Sequence, residues 1–501
     1  MIHFAKLRIL DNLATHSLLF MNPQVVLLVI SAYFILLFLI SWYTSRKVTA
    51  ETFFTGDRQS PWFLVAFGMI GASLSGVTFI SVPGEVGNTN FYYFQVVLGY
   101  IVGYFTIAKV LLPLYYRLNL ISIYSYLEDR FGFWSYKTGA FFFILSRALG
   151  SSLRLYLVAS VLQLILFDSL GVPFWVSVLI TVGLIWLYTF RGGIKTVVWT
   201  DTLQTAFMLA AVVITIFFIG NELGLKSLGD YISSVADDSR SEIFNWDWKA
   251  GSNFFKQFIS GAFITIVMTG LDQDMMQKNL TCKNIGDAQK NMFWFTIILV
   301  IVNLLFLSLG VMLYLYAESK GISLPDKTDQ LFPLLATEHF SAFTAIIFVL
   351  GIIAAAYSSA DSTLTALTTT FCIDFLEIER KYAPEKRVQI RKKVHIAFTA
   401  LFYLLILAFY WLNDQSVINS VFIIAGYTYG PLLGLYAFGL FTKWKVKDKW
   451  VPYLAVLAPL LTFAVASNSE RWLWGYKFGF EALILNGLLM FIGLCLLRRK
   501  D

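Results

Sequence analysis

Charge is scarce in this sequence of 501 residues. Asp, Glu, Lys and Arg make up 14% of it, against 58% hydrophobic residues, whereas a soluble globular chain carries about 25% charged residues. The deficit falls in stretches of about 20 residues with almost no charge, the length that spans a bilayer. No mixed-polarity stretch reaches the roughly 100 residues of a typical soluble domain. The longest polar gaps lie near 220–250, 318–340 and 376–393. The expectation is one membrane domain over 1–501, in a lipid bilayer, with no appended module.

Other absences exclude whole classes. The three cysteines, Cys282, Cys372 and Cys495, have no metal-ligand spacing. The four histidines, His3, His16, His339 and His395, sit at or near predicted span ends, and no HExxH or GxSxG-type run occurs. An intramembrane enzyme would lack catalytic groups at depth, so neither an enzyme nor a catalytic cofactor is expected. No GxxxxGK[ST] run is present, which argues against a nucleotide-driven pump and a nucleotide partner. The net charge of +7 lies in short loops between apolar runs and is no nucleic-acid footprint. The N-terminus lacks the small-residue cleavage site of a secretory signal and is expected to be retained.

What is present is a series of about thirteen apolar spans, near 24–42, 62–87, 91–116, 136–167, 173–190, 197–219, 253–278, 292–317, 341–373, 394–413, 417–441, 449–467 and 479–497. One set of loops contains Arg46, Lys47, Arg58, Arg117, Arg130, Lys137, Arg191, Lys195, Lys278, Lys283 and Lys290. It continues with 380–393, 443–449 and the tail Arg498, Arg499 and Lys500. That side holds roughly 25 Lys and Arg against roughly 10 on the other, so the positive-inside rule makes it cytoplasmic. The N-terminus is then outside and the C-terminus cytoplasmic, as in a multi-pass protein of the plasma (cytoplasmic) membrane. The loop at 220–252, with Asp230, Asp237, Asp238, Glu242 and Asp247, falls outside.

Two spans are not smooth apolar runs. The second reads GMIGASLSGVTFISVPGEVG, with Gly68, Gly71, Ser73, Ser75, Gly76, Thr78, Ser81 and Pro83 inside one crossing. The seventh reads ISGAFITIVMTGLDQDMMQ, with Gly261, Thr265, Thr269 and Gly270. Such residues either let helices pack closely or mark a helix broken at mid-bilayer. Carbonyls freed by a break are tolerated there only where they line a cavity or bind an ion. The two segments stand five spans apart, the spacing of two five-helix repeats of inverted topology with a binding site between them.

The ninth span carries AAAYSSADSTLTALTTTFCID over 354–374. Ser358, Asp361, Ser362 and Thr365 fall at i, i+3, i+4 and i+7, on one helix face. A hydroxyl face with one carboxylate suits a hard cation, which takes oxygen ligands; it also suits a polar packing seam. An Asp at membrane depth costs several kcal/mol unless it is paired or serves an ion. Asp201, in RGGIKTVVWTDTLQT, is either a functional carboxylate or one stabilised by a helix N-terminus.

With these runs the sequence resembles the sodium/solute symporter family, which has the LeuT-type fold, over about residues 25–440. The resemblance is carried by Gly192, Gly193, Val197, Trp199, Thr200, Asp201 and Gln204, and by Ala355, Ser358 and Ser359 with Asp374 sixteen positions beyond Ser358. Ser75, Gly76, Pro83 and Gly84 carry it too, as do Asp272, Gln273, Gln277 and Lys278. It implies an all-α polytopic protein with a five-plus-five inverted repeat. Residues 24–42 would form a peripheral first helix, 62–219 and 253–441 the repeats, and 449–497 peripheral C-terminal helices.

The resemblance implies sodium-coupled uptake of a small organic solute, with sodium as the coupling ion. The main sodium site would use backbone carbonyls of Gly71, Leu74 and Ala355 with the hydroxyls of Ser358 and Ser359. A second cation site, nearer the cytoplasm, would use Asp201, Ser358, Asp361 and Ser362. Asp361 departs from the serine usual at that place, which implies either two sodium ions or sodium plus a proton. Candidate solute contacts are Ser75, Thr78, Gln95, Thr265, Met268 and Thr269, with Arg147 and Arg154 on one face of the fourth span. Each arginine binds a solute carboxylate, pairs with a protein carboxylate or snorkels.

Met268 stands where sugar-carrying relatives have an aromatic gate. Segments 78–87 and 112–132 look like the branch that carries monocarboxylates, iodide, vitamins and sialic acid. The resemblance thus leans to a carboxylate-bearing solute such as a monocarboxylate or sialic acid. The alternatives are a sodium/sugar or sodium/amino-acid symporter, and a transporter-like sensor without net transport.

Overall fold

The computed structural model describes residues 23–46, 50–412 and 417–499. His3, His16, Lys47, Lys500 and the N-terminus expected to be retained lie outside the described residues. Among the described residues all regular structure is helical, apart from isolated bridges between Ser60 and Cys282 and between Val446 and Arg498. Backbone polar groups in hydrocarbon must be satisfied within the segment, and an apolar run meets that demand as a helix.

In chain order the main helices are α1 (Pro23–Thr44), α2 (Trp62–Thr89), α3 (Tyr93–Thr106, running on to Arg117), α4 (Phe133–Phe167) and α5 (Phe174–Phe190). There follow α6 (Gly193–Glu222), α7 (Phe254–Gly270), α8 (Gln273–Asn279), α9 (Ile285–Lys320) and α10 (Ala342–Phe375). The last four are α11 (Pro384–Leu412), α12 (Val417–Phe441), α13 (Val451–Ser467) and α14 (Ala482–Leu496).

Among the described residues, nine helical stretches are long and apolar enough to cross a membrane, or ten if the bent pair α7–α8 is one span. The α5 and α14 helices are shorter apolar helices, and Trp62–Arg117 counts as one stretch of 56 residues. At 1.5 Å per residue that stretch runs to roughly 84 Å, more than two hydrocarbon thicknesses. Helix length alone therefore does not give the expected thirteen. The largest differences in helix start are at α9, which begins at Ile285 rather than 292, and α11, at Pro384 rather than 394. Their first turns are polar, so an apolar-run count passes over them.

The two irregular segments are both broken. Ser75, inside α2, takes φ 54° and ψ 173° and ends the first half-helix. The seventh span passes through a π-turn at Ile266–Gly270 and then bends by 69° into α8. Asp272 accepts the backbone N–H of Asp274 at 3.0 Å and caps the new helix. Gly261 serves close packing instead: a Cβ there would stand 2.1 Å from the Val96 carbonyl of α3. Gly193, at φ 59°, turns the chain from α5 into α6 in a conformation that favours glycine.

Helix packing brings the parts of the site together. The α2 helix packs on α9 and α3 on α7, while α10 packs on α6, α2 and α4. The α12 helix lies against α4 and α14. The break in α2 is thereby held between α6 and α10.

Candidate functional site

The site begins at the end of the first half of α2. A helix leaves its last four carbonyls without intrahelical partners, and a break at Ser75 puts residues 71–74 in that position. Gly71 fixes the distance to the neighbours. Its N–H donates to Thr205 Oγ1 at 3.0 Å. A Cβ on it would stand 2.3 Å from that oxygen and 3.0 Å from Ser358 Oγ. Gly71 and Leu74 of α2 and Ala355, Ser358 and Ser359 of α10 are all buried. The Ser359 hydroxyl donates to its own helix, to Ala356 O at 3.2 Å, which leaves its lone pairs free. Carbonyl and hydroxyl oxygens are the ligands a hard cation takes.

The expected second cation set is divided. Ser358 Oγ donates to Asp201 Oδ1 at 2.7 Å, and Ser362 Oγ to Ser358 O at 3.1 Å. Asp361 is turned toward α5 and α6, where its Oδ2 accepts from Tyr188 at 3.0 Å and from Thr200 at 3.3 Å. Its Oδ1 is buried with no hydrogen-bond partner among the described residues.

Lys278 meets Asp201 instead. Its Nζ lies 2.7 Å from Asp201 Oδ2 and 3.9 Å from Asp274 Oδ1, and its side chain is 1% exposed. The loop placement expected for Lys278 is therefore wrong. The bend after Gly270 folds α8 back into the protein, so this basic residue is interior.

The chain of charges continues to α4. Arg147 Nε lies 2.6 Å from Asp272 Oδ2, and its guanidinium 3.7 Å from Asp274 Oδ2. Tyr429 of α12 also donates to Asp272, and Thr363 of α10 donates to Asp274 at 3.1 Å. Of the alternatives left open by the sequence, Arg147 takes the protein carboxylate.

Ser75, Thr78, Arg147, Arg154, Thr265, Met268 and Thr269 line one cavity beside the break, joined by Ser73, Tyr93, Tyr100, Tyr104, Asn303 and Phe422. Arg154 makes no ion pair or hydrogen bond among the described residues. Gln95 does not line the cavity. Its amide donates to Tyr92 O and Ser252 O at 3.1 and 3.0 Å and accepts from Asn245 N at 3.2 Å, so it ties the start of α3 to the loop before α7. Asp374 is likewise structural, accepting from Ser122 at 2.7 Å and Tyr136 at 2.8 Å.

Sequence reasoning missed Lys278, Asp274, Tyr188 and Tyr429 as members of the buried network. The one local signal was the density of charge in DQDMMQK, unusual beside an apolar run.

Comparison with known proteins places this arrangement. A family model described as sodium:solute symporter family matches residues 53–448. The human sodium/iodide cotransporter is 26% identical over 404 residues, covering 78% of this chain and 61% of that protein's length. A sodium/sialic acid symporter of Aliivibrio fischeri is 24% identical over 415 residues, 80% of each chain. Among solved structures, a Na+-coupled sialic acid symporter in a substrate-bound, outward-open state has a TM-score of 0.78 at 22% identity, covering 95% of this chain and 99% of that one. The fold is thus the LeuT-like one.

Proposed function

From the premise that this chain belongs to the sodium:solute symporter family, we propose that it is a sodium-coupled symporter that imports a small carboxylate-bearing solute by alternating access. The observation that carries this reading is the placement of the α2 break against α10, with Gly71 facing Ser358 and Gly76 facing Ala356 on either side of Ser75. Carbonyls of Gly71, Leu74 and Ala355 and hydroxyls of Ser358 and Ser359 hold the main sodium. The oxygens of the second cation site are those of Asp201, Ser358, Asp361 and Ser362; with Asp201 already facing Lys278 Nζ at 2.7 Å, Asp361 supplies the carboxylate for a second coupling charge, a sodium or a proton.

Sodium in the main site ties α2 to α10. The ion thereby stabilises the solute-competent state over its alternative, which is the only way a ligand shifts such an equilibrium. One repeat bundle then rocks against the other around the site. A single cation moving down a potential of 100 mV supplies about 2.3 kcal/mol for the uphill solute.

Arg154 supports an anionic solute. It is a half-buried guanidinium on the cavity wall, unpaired among the described residues, and a guanidinium binds a carboxylate in a two-point fork. Iodide and sialic acid, named for the two relatives above, each carry a single negative charge at neutral pH. Thr265, Met268, Thr269, Ser75 and Thr78 complete the solute contacts. The chain spans the cytoplasmic membrane in thirteen helices, N-terminus outside and C-terminus cytoplasmic. Residues 62–219 and 253–441 form the inverted repeats, between the peripheral helices at 24–42 and 449–497. It performs no catalysis.

The test is a thermal-shift panel of monocarboxylates, sialic acids, sugars and amino acids on the purified chain, with and without sodium. Stabilisation by acids only when sodium is present is the expected result. It would be followed by uptake of the stabilising acid into proteoliposomes under an inward sodium gradient. Stabilisation by neutral sugars alone, or uptake indifferent to sodium, would overturn the proposal.

A further inference from the structure

We propose that the ammonium of Lys278 is a tethered cation that fills the Asp201 side of the second cation site, so that the wild-type chain binds one alkali ion fewer than its oxygen donors could hold. This rests on the sodium-coupled reading above and sharpens its stoichiometry.

Of the oxygens expected at that site, Asp201 is the most exposed to competition. Its Oδ1 already accepts the Ser358 hydroxyl at 2.7 Å, and its Oδ2 faces Lys278 Nζ at 2.7 Å. A free ion seeking Asp201 would have to take the place of that ammonium. Both side chains are sealed from solvent, at 0 and 1% exposure. Like charges brought together there would repel with little screening.

The surrounding charges fix the assignment. Three carboxylates, Asp201, Asp272 and Asp274, share two cations, Arg147 and Lys278. Arg147 belongs to Asp272, at 2.6 Å. Asp274 stands farther from both cations, at 3.7 and 3.9 Å. Lys278 therefore neutralises Asp201, and no other cation does so among the described residues. Asp361 lies within reach of the charges of Asp201 and Lys278 but makes no ion pair with a cation among the described residues, its Oδ2 being held by Tyr188 and Thr200.

The position of Lys278 on α8 gives the contact a mechanical side. The α8 helix is the half-helix beyond the 69° bend, and Lys278 connects it to α6 while Ser358 connects α6 to α10. A chain with a neutral residue at 278 would leave Asp201 a buried, unpaired carboxylate among hydroxyls, which is a cation site.

The experiment counts bound radioactive sodium per protein at saturation, at constant ionic strength set with choline chloride, on the full-length chain in detergent. The wild type, Lys278→Met and the double variant Asp201→Asn/Lys278→Met are compared. Lys278→Met is expected to bind one sodium more than the wild type. The double variant, which removes the pair without leaving a lone charge, is expected to return to the wild-type number. A folded Lys278→Met with an unchanged count overturns the inference. So does a double variant that binds one ion fewer than the wild type, because Asp201 would then hold a sodium already; this arm decides even if the single variant does not fold. A wild type that binds no sodium at all would instead bring down the symport reading itself.

Discussion

Arg147 and Arg154 stand two turns apart on one face of α4 and line the same cavity, yet among the described residues only Arg147 is neutralised by the protein. The pair thus has two different roles. Removing Arg147 leaves Asp272 and Asp274 buried beside each other without their main counter-charge. Removing Arg154 takes nothing from the fold's ion pairs.

Arg154→Met should therefore keep its melting temperature in sodium alone and lose the acid-dependent shift. A hydrogen bond to a charged group contributes about 1.5–3 kcal/mol, so the acid should bind roughly 10- to 100-fold more weakly. Arg147→Met should lose about 3–5 kcal/mol of stability, the usual cost of breaking a buried pair. Melting curves with and without the acid separate the two. Equal behaviour of the two variants would show that the cavity does not distinguish these arginines.

Ser359→Ala should raise the half-saturating sodium concentration by about tenfold or more while leaving the sodium-free protein folded. Among the described residues its hydroxyl bonds only to Ala356 of its own helix, so the fold loses little; a charge-assisted oxygen contact is among the stronger ones. Sodium titration of thermal unfolding gives the number. An unaltered titration would remove Ser359 from the ion site.

Asp361→Asn should change either the number of sodium ions or the pH dependence of uptake. Asparagine keeps the shape and the contacts to Tyr188 and Thr200 but cannot carry the charge. Direct measurement of charge moved per solute, at two pH values, reads the outcome. A variant that matches the wild type in both respects assigns Asp361 to helix packing alone.

Gly71→Ala should destabilise the chain by about 1–3 kcal/mol, the range for overpacking a tight interior. The added carbon meets Thr205 Oγ1 at 2.3 Å. Thr205→Ala in the same chain should recover part of that loss, because it removes the atom that is struck. Sodium-dependent stabilisation should stay weak in the single variant, since the α2 carbonyls are pushed from α10.

The sequence by itself determined what is local. Long apolar runs set the helices, because backbone in hydrocarbon has no other partner. The glycine- and serine-rich run around Ser75 marked a break, and the 3.6-residue period put Ser358, Asp361 and Ser362 on one face of α10. Only the tertiary structure decided which charges meet. Lys278 read as a loop residue because hydropathy cannot see the bend that turns α8 inward. Gln95 read as a solute contact because its partners Ser252 and Asn245 lie about 150 positions away. Pairing across helices depends on distance in space, which a one-dimensional pattern does not contain, and in a low-dielectric interior that distance fixes the role of every buried charge.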